Sequence, residues 1–67
     1  MPRVKELRES KGWSQQALAQ RAGVHYRTIQ DIEAGVMPRT STAIAIAKAL
    51  DVTLDQLLGD RQEKASA

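Results

Sequence analysis

The sequence lacks several residue types, and each absence removes a class of site. None of the 67 residues is cysteine, which excludes a disulfide framework and a thiolate metal site. The single histidine, His25, cannot form a zinc site alone. The longest run without a charged residue is 12–20, far shorter than the roughly 20 apolar residues of a membrane-spanning helix. We therefore expect no metal, no cofactor and no membrane span.

The first twelve residues, MPRVKELRESKG, also lack the apolar stretch of a secretory signal, because they are charged from Arg3 onwards. A chain of 67 residues forms one small domain, with little mass to line a catalytic cleft. It shows no glycine-rich phosphate loop and no Ser/His/Asp arrangement for nucleophilic catalysis. We expect a cytoplasmic binding protein and not an enzyme.

The net charge is only +2, but the charges are unevenly distributed. Residues 1–50 contain eight basic and four acidic residues, whereas residues 51–67 contain two basic and four acidic residues. A basic body suits a polyanionic partner, and an acidic C-terminal segment is expected to face elsewhere. An ordinary solvated surface explains the same numbers, so charge alone does not identify the partner.

Helical signals run along the whole chain, and no sustained period-two alternation predicts a strand. Ser14 is a predicted N-cap, with Trp13 before it and Leu18 after it as a hydrophobic staple. Apolar residues recur three and four positions apart, as on one face of a helix, and each such segment but one is followed by a glycine that can end it. The predicted helices cover about residues 2–11, 15–22, 26–34, 40–50 and 54–58, ended by glycines at 12, 23, 35 and 59 and by the turn after residue 50.

One core is expected to hold these helices together. The alanines at 43, 45, 47 and 49 let neighbouring helices approach closely. The prediction is an all-α, compact five-helix bundle over residues 1–59, followed by a polar, disordered tail at 60–67. The predicted core residues are Leu7, Leu18, Val24, Ile29, Ile32, Ile46, Leu50, Leu54, Leu57 and Leu58.

The third predicted helix has a polar face that matches base readout in DNA. Ile29 and Ile32 define its buried side at about 100° per residue. Arginine matches guanine, glutamine matches adenine, and a carboxylate accepts from cytosine. A solvated helix face has the same composition, so the pattern alone leaves both interpretations open. The candidate base-reading residues are Tyr26, Arg27, Gln30 and Asp31, with orientation of Arg27 through an i,i+4 pair as the alternative role for Asp31.

The connection before this helix favours the DNA interpretation. Only Val24 and His25 follow Gly23 before the third helix begins, so the second and third helices must cross at a steep angle. This arrangement is a helix-turn-helix unit, in which the second of the two helices enters the major groove.

The sequence at this point resembles a family. GWSQQALAQRAGVHYRTIQDIEAG, followed by IAKALDVTLDQLL, is similar to the Cro/cI-type helix-turn-helix domain of phage repressors and Xre-like regulators. The resemblance covers about residues 3–59, and its parts (SQQALA, the AG turn, I-x-x-I-E-x-G and LDQLL) occur in the expected order. It implies a lambda-repressor-like bundle whose third helix reads DNA.

The resemblance also implies roles outside the third helix. Gln15 matches a glutamine that contacts phosphate and braces the third helix, and Arg39 matches a basic residue near the DNA backbone. Arg8 and Glu33 match an ion pair between the first and third helices, with phosphate contact as the alternative for Arg8. The residues expected to contact the DNA backbone are Ser14, Gln15, His25, Thr28 and Arg39.

The expected function is a sequence-specific, double-stranded-DNA-binding transcriptional regulator that binds a pseudo-palindromic operator as a homodimer. Ile44, Leu54 and Leu58 are the predicted dimer surface, with closure of the monomer core as the alternative for Leu54 and Leu58. Leu57 is expected in the monomer core. No small-molecule effector domain is expected. The alternative is a protein-interaction adaptor or antitoxin-type module with the same fold, which salt-dependent DNA binding would discriminate.

Overall fold

The computed structural model describes residues 3–58, with the backbone alone at Leu58. Its helices are α1 (Arg3–Ser10), α2 (Gln15–Ala22), α3 (Tyr26–Glu33), α4 (Thr40–Leu50) and α5 (Leu54–Leu58). The described residues contain no strand. The predicted all-α fold and its five helices are therefore confirmed. The expectations for Pro2, for Gly59 and for the tail at 60–67 lie outside the described residues.

Two predicted helix ends are one residue too long. The first helix ends at Ser10 and not at Lys11, whose N–H donates to the Arg8 carbonyl at 3.1 Å in a tighter, three-residue turn. The third helix ends at Glu33, and Ala34 is its C-cap with φ −84° and ψ −5°. Such end residues keep near-helical backbone angles, so sequence patterns do not separate them from the helix proper.

Local hydrogen bonds fix the two ends of α2 and the turn that follows. The Ser14 hydroxyl accepts from the Ala17 N–H at 3.0 Å, which confirms the predicted N-cap. Gly23 adopts the left-handed conformation with φ 71° and ψ 31°. The Val24 N–H then reaches back to the Ala19 carbonyl at 3.0 Å, which completes a Schellman motif. This short reversal sets α3 directly against α2.

The core lies where α2 packs against α3 and α4, while α5 packs against α1 and α4. Small side chains at Ala19, Ala43 and Ala47 are buried there and permit close helix approach. Each fully buried large side chain stabilises the fold by about 1.5–3 kcal/mol. The fully buried large side chains are Val4, Leu18, Ile29, Ile32, Ile46, Leu50 and Leu57.

The depth of burial differs from the sequence prediction at four positions. Val4 is fully buried although it was not among the predicted core residues. Leu7, Val24 and Leu54 are only half-buried and pack against the rim of the core. Helical periodicity gives the direction of a side chain, but the cover above it comes from neighbouring helices. With Ile29 and Ile32 fixed inside, the opposite face of α3 points outward.

Candidate nucleic-acid interface

The outward face of α3 is polar and accessible. Tyr26, Arg27 and Gln30 are exposed, and Asp31 is half-buried. The helix has only eight residues, and its first turn follows the sharp reversal at Gly23. A helix with this arrangement can enter the major groove of B-DNA with its first turn foremost, because that groove is about 12 Å wide.

His25 begins this helix as its N-cap. Its Nδ1 accepts a hydrogen bond from the Arg27 N–H at 3.0 Å, and its carbonyl accepts from the Thr28 N–H at 3.0 Å. A neutral imidazole whose Nδ1 accepts carries its proton on Nε2. The exposed His25 side chain therefore caps α3 with one nitrogen and has an N–H donor on the other.

The four candidate base-reading residues form two pairs along the helix. Arg27 Nε donates to Asp31 Oδ1 at 3.3 Å, and Gln30 Nε2 donates to the Tyr26 hydroxyl at 3.1 Å. Each pair joins residues four apart, which is the spacing that brings side chains together on a helix surface. Tyr26 and Arg27 lie in the first turn of α3, and Gln30 and Asp31 lie one turn further along the helix.

The other end of α3 is held by a buried network. Arg8 donates from Nε to Glu33 Oε2 at 2.7 Å and from Nη2 to Oε1 at 3.1 Å. Arg8 Nη1 also donates to the Trp13 carbonyl at 2.7 Å, and Gln15 Nε2 donates to Glu33 Oε1 at 3.0 Å. No buried side-chain nitrogen or oxygen within residues 3–58 lacks a hydrogen-bond partner. The network ties α1 and α2 to the end of α3.

Burial and hydrogen bonding act in opposite directions on the charges of this network. Burial raises the pKa of the Glu33 carboxyl, but hydrogen bonds from Arg8 and Gln15, with the charges of Arg8 and Lys5, bring that pKa below its ordinary value. The hydrogen bond to Glu33 raises the pKa of Arg8 despite its burial. Both groups are charged at neutral pH. Arg8 is inside this network, which favours the ion pair over the phosphate contact.

The turn between α1 and α2 contains a stacked cluster that the sequence analysis missed. The Arg21 guanidinium carbon lies 4.4 Å from the centroid of the Trp13 ring, and Lys11 Nζ lies 5.6 Å from it. Both distances are within the range of cation–π attraction. The sequence does show one tryptophan close to Lys11, which was the available signal. The stacking of Arg21 on Trp13 depends on how the chain folds, because the two residues are eight positions apart.

The residues expected to contact the DNA backbone lie at or near helix N-termini, where free N–H groups and the helix dipole favour anions. Ser14 is exposed, whereas Gln15 is half-buried with its amide directed to Glu33. Thr28 is half-buried in the first turn of α3. Arg39 is exposed at the N-cap of α4 and makes no capping hydrogen bond there.

A groove of about 440 Å³ lies between α2 and α3 beside these residues. Gln16 and Gln20 line it from α2, and neither was a sequence candidate. Their spacing of four residues was the signal that could have placed them on one helix face. The groove is lined by Gln16, Ala19, Gln20, Val24, His25 and Tyr26.

The predicted dimer surface divides into residues of different character. Ile44 is 41% exposed, and Val36 and Met37 in the loop before α4 are also exposed. Leu54 is half-buried and packs against the core, and Leu57 is fully buried in it. The side chain of Leu58 lies outside the described residues.

Neither a metal cluster nor a membrane span is found between residues 3 and 58. No three His, Cys, Asp or Glu side chains in that range are grouped so that they could hold a metal ion. No helix there is long and apolar enough to cross a bilayer.

Comparisons with known proteins agree with the geometry. A profile of the helix-turn-helix family matches residues 4–57. The chain is 35% identical over 68 aligned residues to the HTH-type transcriptional regulator AnsR of Bacillus subtilis (strain 168), and the alignment covers 100% of this chain and 59% of that regulator. The chain thus spans about three fifths of that curated relative's length. No solved structure matches it significantly. The chain belongs to the Xre-like helix-turn-helix family.

Proposed function

We propose that this chain is a sequence-specific, double-stranded-DNA-binding module of a transcriptional regulator. The observation that carries the proposal is the construction of α3. Its C-terminal end is fixed by a buried ion pair, and its first turn presents Tyr26 and Arg27 to solvent directly after a tight reversal. Membership of the helix-turn-helix family and the similarity to a transcriptional regulator support this function. The module acts by binding, without catalysis, in the cytoplasm.

In this proposal the contacts divide into base readout and backbone positioning. Arg27 reads a base edge, because a guanidinium donates two parallel hydrogen bonds to guanine O6 and N7. The helix N-terminal residues hold the phosphates on either side of the groove. The proposed backbone contacts are Ser14, Gln15, His25, Thr28 and Arg39.

Selection of bound duplexes from a random pool by the intact chain tests the proposal, combined with binding measured at several salt concentrations. We expect a selected sequence and an affinity that falls steeply with salt. Arg39→Ala should weaken binding to all duplexes and lower the salt slope by about one, whereas Gln15→Ala should weaken binding without that change. An adaptor or antitoxin-type module would instead show little affinity and no selected sequence.

We also propose that two copies bind a pseudo-palindromic operator. One short helix reads few base pairs, and a two-fold dimer reads two half-sites about 34–36 Å apart. The exposed Ile44, with Val36 and Met37 in the preceding loop, supports a contact between copies on α4. Leu54 packs against the core, so Leu54→Glu would also disturb folding, and Ile44→Glu is the cleaner test.

Binding of Ile44→Glu to full and half operators checks the dimer. The variant should lose cooperative binding to the full operator and keep its affinity for an isolated half-site. Equal cooperativity in the variant and the wild type, or protection of a single asymmetric site by one chain, would contradict the proposal.

A further inference from the structure

The two side-chain pairs on α3 divide the polar face into a front and a rear row. Arg27 and Tyr26 form the front row, in the first turn. Asp31 and Gln30 form the rear row, four residues or about 6 Å further along the helix axis. Because a recognition helix that enters the groove end-first reaches base edges with its first turn, the front row is closer to the bases.

The hydrogen bonds within each pair determine which donor groups of the front row remain for a ligand. Arg27 donates from Nε to Asp31 Oδ1. Its four Nη hydrogens have no hydrogen-bond partner among residues 3–58. The Tyr26 hydroxyl accepts from Gln30 Nε2, so its own hydrogen is available for donation. Both front-row side chains therefore present hydrogen-bond donors outward.

From this geometry we infer that Asp31 and Gln30 are positioning residues, and that the front row reads acceptor-rich bases. This inference rests on the proposed DNA-binding function and specifies the bases recognised. The paired Nη groups of Arg27 match the O6 and N7 acceptors of guanine in the major groove. Cytosine presents only an N4 donor there, so it is disfavoured at the positions that Arg27 and Tyr26 contact.

The competing arrangement assigns a separate base to each of the four residues. In that case Asp31 accepts from a cytosine N4 and Gln30 bonds an adenine, at positions of their own. The geometry argues against it for Asp31, because Oδ1 already accepts from Arg27 Nε and the residue lies one helical turn behind the front row, further from the bases. The two arrangements predict changes at different positions of the binding site, so they can be separated.

The test is selection from a random duplex pool by the wild type, Arg27→Ala, Asp31→Ala and the double variant. Arg27→Ala should abolish a guanine preference at one position. Asp31→Ala should reduce the same preference by about 2–10-fold and less than Arg27→Ala does, because the reading group remains but is no longer oriented. The double variant should match Arg27→Ala. The acidic charge is also lost in Asp31→Ala, so its affinity for unselected duplexes should rise.

Two further variants distinguish positioning from a general structural effect. Asp31→Asn keeps an acceptor oxygen for Arg27 and should restore part of the guanine preference. Gln30→Ala should broaden selection at the Tyr26 position and at no other. Arg21→Ala, an exposed arginine on α2, is the matched control and should leave the selected bases unchanged.

Each outcome bears on one of the two claims. A wild-type chain that selects no sequence overturns the proposed function and, with it, the inference. A wild-type chain that selects a sequence, with Asp31→Ala altering a separate cytosine position or adding its effect to that of Arg27→Ala, overturns the positioning role alone.

Discussion

The two ends of α3 each carry an arginine–carboxylate pair, and the pairs differ in burial. At the C-terminal end, Arg8 and Glu33 are 2.7 Å apart with side chains 10% and 7% exposed. Near the N-terminal end, Arg27 and Asp31 are 3.3 Å apart with side chains 74% and 47% exposed. The same chemistry therefore occurs in two environments on one helix of eight residues.

This difference separates anchoring from recognition. A buried charge that loses its partner destabilises a protein strongly, whereas an exposed ion pair contributes about 0–1 kcal/mol. The buried pair thus fixes the position of α3, and the exposed pair is accessible to a ligand. Substitutions at the two ends of α3 should therefore differ in their effects on stability and on binding.

Removing the carboxylate at the anchored end should have the largest effect on stability. Glu33→Ala leaves the Arg8 charge buried, with the Trp13 carbonyl and the exposed Glu9 carboxylate as its remaining partners. We expect a loss of about 3–5 kcal/mol in the free energy of unfolding, measured by urea denaturation. Glu9→Ala is the control, because Glu9 is exposed and 3.9 Å from Arg8, and it should change stability by less than about 1 kcal/mol. Similar small shifts for both variants would contradict the anchoring role.

The anchored end should also make the fold sensitive to acid. Because the folded-state pKa of Glu33 is below its ordinary value of 4.5, the unfolded chain binds more protons as the pH falls past that value. The stabilisation is present above pH 4.5 and is lost as the pH falls through the folded-state pKa. Urea midpoints of the wild type and Glu33→Gln between pH 7 and pH 3 measure it. The urea midpoint of the wild type should fall more steeply than that of Glu33→Gln as the pH decreases. Parallel curves would refute the assignment of this acid sensitivity to Glu33.

Removing the N-cap of α3 should have an intermediate effect on stability. His25→Ala removes the acceptor for the Arg27 N–H and should destabilise the protein by about 0.5–2 kcal/mol. His25→Asn supplies another good N-cap acceptor and should retain wild-type stability. Thermal unfolding followed by circular dichroism compares the two. If both variants lose the same stability, the imidazole stabilises the turn by other contacts.

Breaking the exposed pair should have the smallest effect on folding. Asp31→Ala removes a solvent-exposed partner at i,i+4 and should change the free energy of unfolding by about 0.5 kcal/mol or less. The same urea titration measures the change. A loss comparable to that of Glu33→Ala would mean that the two ends of α3 do not differ as proposed.

Local signals explain why most of the fold was predictable. The Ser14 cap and the left-handed Gly23 depend on residues within one helical turn of each other, and the sequence displays them directly. One local signal was overlooked. Thr53 and Gln56 form a capping box at the start of α5, with bonds of 2.8 and 3.1 Å, and the string TLDQ carries that pattern.

The candidate site was predictable only in part, because several of its contacts are tertiary. The 100° helical period placed Arg27 away from Ile29, without any long-range information. The Arg8–Glu33 pair spans 25 positions and was expected from the family resemblance and not from spacing. The bond from Gln15 to Glu33 and the stacking of Arg21 on Trp13 depend on helix packing, which no local pattern encodes.

Folding and DNA binding measured together in Arg27→Ala and Arg21→Ala test whether the exposed end of α3 reads bases. We expect Arg27→Ala to unfold within about 0.5 kcal/mol of the wild type, and Arg21→Ala to lose about 0.5–1 kcal/mol with its stacking on Trp13. Arg27→Ala alone should lose about 1–3 kcal/mol of binding free energy on the selected duplex, with little change on a scrambled one. Equal weakening of binding by Arg27→Ala on both duplexes, or equal effects of the two variants on the selected duplex, would contradict base reading by Arg27.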